Sequence, residues 1–165
     1  MQLEIDIEDW PAPAAPWGDW AALATRALNA VQQVAPELAN PRLETSLLFT
    51  SDAEIHALNR EWRGRDKATN VLSFPMLERA ELLALAPEGP PQMLGDIALA
   101  YETCAREAAE KDVPLEAHAA HLIIHGLLHL AGHDHAISAE DAETMEALEV
   151  LALAQMGIAN PYSEN

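Results

Sequence analysis

At 165 residues the chain has the length of one domain with room for a sizeable core, and half of its residues are apolar, which excludes wholesale disorder. Cys104 is the only cysteine, which excludes an intrachain disulfide framework and fits a reducing compartment. A net charge of −18 excludes a broad grip on duplex nucleic acid, since that depends on neutralising phosphates with Lys and Arg, and no DNA partner is expected.

Leu3, Ile5 and Ile7 alternate with Glu4, Asp6 and Glu8, so residues 3–9 are expected as a half-exposed strand. No basic segment followed by an apolar run opens the chain, and no run approaches the roughly 18 apolar residues of a membrane span. A soluble, cytoplasmic protein with no membrane partner is the expectation. Residues 19–34 place Trp20, Leu23, Leu28, Val31 and Val34 at helical spacing, and residues 43–50 form a second strand. Ser51-Asp52-Ala53-Glu54 is a capping-box pattern that opens a helix over 52–62, with Gly64 just past its end. Val71-Leu72-Ser73-Phe74 reads as a short strand stopped by Pro75. Residues 77–92, acidic and carrying Pro87, Pro90 and Pro91, are expected as a surface excursion inside one domain spanning 1–165. A strand over 93–100 follows, then helices over about 101–111 and 115–131. A last helix runs from the Ser138 cap to about Met156, Gly157 stops it, and 158–165 is a loose tail. The order β, α, β, α, β, β, α, α, α predicts an α+β domain, a mixed sheet packed against helices.

The segment His125-Gly126-Leu127-Leu128-His129-Leu130-Ala131-Gly132-His133-Asp134-His135 carries the chemistry. Residues four apart share a helix face about 6 Å apart along the axis, so His125 and His129 can reach one ion. Gly132 can adopt the positive φ that ends a helix, and the turn then delivers His135 as third ligand. Three imidazoles leave tetrahedral zinc one open position, as catalytic sites require. His133 is the alternative third ligand, though the glycine spacing favours His135. The plain alternative, histidines satisfied in a core, must accommodate several imidazoles among Leu122, Ile123, Ile124, Leu127, Leu128 and Leu130, where burial without partners is costly. His118 and His121 receive no ligand role, because the site needs an open position. Asp134 and Asp96 either orient a ligand imidazole or shape local backbone. Cys104 is an alternative fourth ligand that would close the tetrahedron and make the zinc structural.

Four of the nine basic residues, Arg60, Arg63, Arg65 and Lys67, fall within eight positions beside only Glu61 and Asp66. Such a patch either guides a phosphate group or is a solvated helix end with cations near its negative dipole.

Two segments, Leu58-Asn59-Arg60-Glu61-Trp62-Arg63-Gly64-Arg65-Asp66-Lys67-Ala68-Thr69-Asn70-Val71-Leu72-Ser73-Phe74-Pro75 and His125–His135, with Leu94-Gly95-Asp96-Ile97, resemble the YbeY family of bacterial metal-dependent endoribonucleases. The resemblance spans residues 43 to 150 and departs at Ala68, where proline is common, and at His133, where tyrosine is common. It implies a zincin-like architecture with the histidine-bearing helix central, one Zn2+ on His125, His129 and His135, and a ribonuclease arginine at Arg63. It also implies work on ribosomal RNA and the small ribosomal subunit, in 16S 3′-end maturation and ribosome quality control.

The one-five-eleven histidine spacing is shared with the metzincin pattern H-E-x-x-H-x-x-G-x-x-H, a rival peptidase reading. There the second position is the general base; here it is Gly126, and losing such a base costs about a hundred- to ten-thousandfold. Phosphodiester cleavage tolerates the loss better, because zinc polarises a phosphoryl oxygen and acidifies water while arginine neutralises the developing charge. An RNA 2′-hydroxyl is an alternative nucleophile to water. A non-catalytic ribosome-assembly factor with a structural metal is the remaining alternative.

Overall fold

The alternating segment at the start of the chain forms β1 (Gln2–Ile7), the first strand of the computed structural model, which describes residues 1–14, 16–133 and 138–162. With β2 (Leu43–Thr50), β3 (Val71–Pro75) and β4 (Gln92–Ala100) it builds a mixed sheet in the order β1-β2-β4-β3. β1, β2 and β4 run parallel, while β3 pairs antiparallel with β4 at one edge, Val71 opposite Leu99 and Pro75 opposite Gly95. Helices α1 (Trp20–Val34), α2 (Asp52–Arg63), α3 (Arg79–Ala84), α4 (Tyr101–Glu110), α5 (Leu115–Leu130) and α6 (Ala139–Gln155) complete the described elements, with a 3₁₀ turn at Pro36–Ala39.

Local chemistry sets the helix ends. Asp19 accepts from the Ala22 amide at 2.7 Å to start α1, and Ser51 from the Glu54 amide at 3.2 Å to start α2. Gly64, at φ +66°, takes the left-handed turn that ends α2. α2 and α4 cap one another: Asp52 accepts from the Thr103 amide (3.0 Å) and hydroxyl (2.8 Å), and Glu102 accepts from the Asp52 amide at 3.2 Å.

Strand periodicity then separates two layers. Leu43, Leu47 and Phe49 of β2 and Ile97 and Leu99 of β4 join α1, α5 and α6 in the main core. The opposite sheet face carries a smaller cluster, Ile55 of α2 with Leu72, Ala98 and Ala100. α5 seats directly on β4 because Gly126 lacks a side chain; a Cβ there would lie 3.0 Å from Ile97 Cδ1. Gly95, at φ +156° where the β2–β4 register shifts, leaves room for the Phe74 carbonyl and Leu130.

Two segments are more ordered than their composition suggests. Residues 77–92 contain α3, which buries Leu82 and sends Arg79 Nη1 to the Ala131 carbonyl at 2.7 Å. The prolines follow this helix rather than interrupting it. The expected loose tail is corrected over 158–162: Ile158 donates to Leu153 at 3.0 Å and packs on the core, and the Tyr162 hydroxyl reaches α6. Among the described residues, no helix is long and apolar enough to cross a membrane.

Candidate active site

From His118 to Leu130, α5 is buried at every residue except His125 and His129, which are half-buried. An amphipathic helix normally exposes a polar stripe; here the exposed edge has narrowed to two imidazoles one turn apart. Their ring centroids are 4.7 Å apart at 69°. The helix ends in a Schellman turn, with Gly132 N donating to His129 O (2.9 Å) and His133 N to Leu128 O (3.0 Å). Gly132 stands at φ +96°, and a Cβ there would lie 2.6 Å from Arg79 Cβ. His135 and Asp134 lie outside the described residues, and among the described residues no three potential metal-binding side chains form a cluster. His133 is half-buried, and burial, with the Arg79 guanidinium beside it, holds its imidazole below the ordinary pKa. A neighbouring cation makes it a poorer ligand candidate.

The His125 ring is oriented by a residue the sequence reading did not select. Glu149, 1% exposed on α6, places Oε2 3.0 Å from His125 Nδ1. Its other oxygen lies 2.6 Å from His121 Nε2 and accepts from the Tyr162 hydroxyl at 2.5 Å. Burial works against the charge of Glu149, yet hydrogen bonds from His121, His125 and Tyr162 outweigh it and hold its carboxyl down at about 2. An ionised carboxylate only accepts, so the proton at this contact sits on His125 Nδ1, and Nε2 is the ring nitrogen turned away from Glu149.

The other residues weighed for the site sit elsewhere. His118 Nε2 is 2.9 Å from Glu107, which also accepts from Asn70, so this histidine locks α4, α5 and the start of β3 together. Cys104 is buried on α4 with its sulfur 3.6 Å from the Asn70 carbonyl, and burial pushes its thiol pKa far up. It contacts Asn70 rather than the two half-buried histidines. Asp96 pairs across the sheet with Ser46 and Phe74 on the face away from α5, whereas the carboxylate that meets His125 is that of Glu149.

Arg63 is exposed in the last turn of α2, on the sheet face opposite α5, and shares that exposure with Arg60, Arg65 and Lys67. Asp66 is paired instead with His56 at 2.6 Å, which leaves the cations less opposed. Beside them Trp62, 68% exposed, and Leu58 overhang the sheet above Ser46, Asp96 and Phe74, enclosing an open cleft of about 460 Å³.

The family model described as Endoribonuclease YbeY matches residues 6–157. The chain belongs to the YbeY endoribonuclease family. It is 65% identical over 164 residues to the endoribonuclease YbeY of Erythrobacter litoralis, covering 99% of each chain, and 56% identical over 165 residues to that of Novosphingobium aromaticivorans, covering 98% of this chain and 95% of the relative. The solution structure of TM1509 from Thermotoga maritima shares the fold, with a TM-score of 0.57 at 22% identity over 98% of this chain and all of the other. YbeY relatives are endoribonucleases, hydrolases acting on RNA, so the sequence resemblance and the enzyme class drawn from it are both supported.

Within this YbeY-family site, Glu149, Tyr162 and the Trp62 cleft escaped sequence reading. Glu149 is one of many acidic residues in a helix with little amphipathic contrast, and nothing in its spacing marks it. Trp62 lies within the motif that resembles YbeY, but only the fold shows its ring standing in solvent.

Proposed function

We propose that this YbeY-family chain is a zinc-dependent endoribonuclease that cuts single-stranded ribosomal RNA, acting in 16S 3′-end maturation and ribosome quality control. Its partner is the small ribosomal subunit, and its compartment the cytoplasm. The observation that carries the metal reading is the pairing of His125 and His129 as the sole half-buried residues between His118 and Leu130, with Glu149 oriented onto the far nitrogen of His125. Such a donor set fits zinc: imidazoles one turn apart, one of them backed by a carboxylate. His125, His129 and, by spacing, His135 would hold the ion in a zincin-like arrangement. A bound zinc ion supplies Lewis acidity toward a phosphoryl oxygen and lowers the pKa of water.

The chain's own residues supply the rest. Arg63 neutralises charge on the phosphoryl oxygens, and Arg60, Arg65 and Lys67 bind flanking phosphates on an otherwise acidic surface. Trp62 offers a face on which an unpaired base can stack, which favours single strands over duplex. The peptidase reading loses ground on the Gly126 seat. The position that bears its general base faces Ile97, which would have to give way to any side chain there, and a carboxylate would be buried against it.

Purified protein is incubated with single-stranded and duplex RNA, with and without chelator, beside Arg63→Ala and His129→Ala. Chelator-sensitive cutting of the single strand, lost in both variants, is the expected result. RNA binding without cutting, unchanged in His129→Ala, would instead establish the assembly-factor reading.

A further inference from the structure

Glu149 is nearly solvent-free, and no lysine or arginine neutralises it; its charge is held by three hydrogen-bond donors among the described residues. Burying a carboxylate this way is expensive and invites a functional explanation. A second cost sits beside it. His121 turns Nε2 toward Glu149, which leaves its Nδ1 buried with no hydrogen-bond partner. Native proteins rarely leave such an atom unsatisfied unless the arrangement serves something else. Tyr162 completes the set from beyond the last helix, its ring 5.5 Å from that of His121 and its hydroxyl on the same Glu149 oxygen.

We propose that Glu149, clamped by His121 and Tyr162, is the positioning residue of the metal centre, fixing His125 as the Nδ1–H tautomer so that Nε2 is the coordinating nitrogen. His121 is thus a support for the carboxylate rather than a fourth ligand. The segment after α6 becomes a latch: Tyr162 holds Glu149 on one oxygen while His125 takes the other. This rests on the proposed metal reading, and it assigns the site a second tier reaching from α5 through α6 to Tyr162. Carboxylates behind ligand histidines typically account for a 10- to 100-fold effect on metal affinity.

The test is zinc affinity by chelator competition, together with ¹⁵N–¹H spectra of the histidine rings, on wild type, Glu149→Gln, Tyr162→Phe and Glu143→Gln. Glu143 is exposed on the same helix and serves as the control. The expected result is zinc binding weakened roughly 10- to 100-fold in Glu149→Gln and a few-fold in Tyr162→Phe, with Glu143→Gln unchanged. Metal-free wild type should already show His125 protonated at Nδ1, a readout independent of whether Glu149→Gln folds. Wild type that binds stoichiometric zinc with His125 protonated at Nε2, or a folded Glu149→Gln of undiminished affinity, would overturn the proposal while leaving the metal reading intact. Wild type that binds no zinc removes the metal reading and this one with it.

Discussion

The two ends of the candidate machinery are built on opposite principles. On one face of the sheet, His125 is fixed through a buried carboxylate that makes three hydrogen bonds, and the helix carrying it is packed on almost every side. On the other face, Arg60, Arg63, Arg65 and Lys67 stand in solvent around the equally exposed Trp62. Preorganisation matters where an ion must meet a fixed geometry; a mobile charge suffices where a flexible polyanion must be captured. The first region should therefore control turnover, and the second, Arg63 excepted, encounter and affinity.

Arg63 is the residue that most sharply tests this division. If it stabilises charge at the reacting phosphate, Arg63→Ala lowers kcat about 100-fold, as removal of one such donor commonly does. Lys67→Ala should instead act through KM and reduce the salt slope of RNA binding by about 0.7 per lost phosphate contact. Steady-state cleavage over a salt series separates the two outcomes. An Arg63→Ala effect confined to KM would place Arg63 with its neighbours as a grip.

The rigid side can be broken by filling the seat beneath α5. Gly126→Glu, which restores the acid of the peptidase pattern, must bury a carboxylate against Ile97 and should destabilise the fold by at least ~3 kcal/mol. Thermal unfolding measures this, and no peptidase activity is expected. A smaller loss, about 1–2 kcal/mol, is expected for Arg79→Ala, which removes the 2.7 Å bond to the Ala131 carbonyl and the 3.2 Å pair with Glu37. Because Arg79 closes the turn after α5, this variant should also weaken zinc binding.

The smallest effect is on pH dependence. Burial is the leading cause holding the His118 imidazole below its ordinary pKa of 6.5, so the unfolded chain takes up this proton first. Burial works against the Glu107 carboxylate, but hydrogen bonds from His118 and Asn70 hold its pKa below 4.5. Both shifts are downward, so the stability these two groups contribute is complete just above pH 6.5, declines as pH falls below it, and declines further below pH 4.5. Urea midpoints from pH 7.5 to 4 check the sign, and His118→Gln should flatten the upper part of the curve.

Much of this was legible in the sequence because it rests on local rules. Ser51, Gly64, Gly132 and Ser138 punctuate helices by backbone chemistry, and the predicted boundaries agree with the structure to within a residue or two. The four-residue spacing of His125 and His129 needed only helix geometry. Strand order did not follow from pattern, since β4 lies between β2 and β3 only through long-range pairing. Glu149 was hidden for the same reason. Its partners are 24 and 28 residues away on α5 and 13 residues on at Tyr162, and its own helix offers no polarity contrast. Leu82 and Ile158 join the core through single apolar side chains in segments without helical or strand periodicity, which pattern alone does not reveal.

Anomalous diffraction at the zinc edge, on crystals of zinc-loaded protein, addresses the central claim most directly. One peak about 2.0–2.1 Å from a nitrogen of both His125 and His129 is the predicted result, with His125 bound through Nε2 and its Nδ1 on Glu149. A fully occupied zinc elsewhere, or no peak at these two rings, would contradict it.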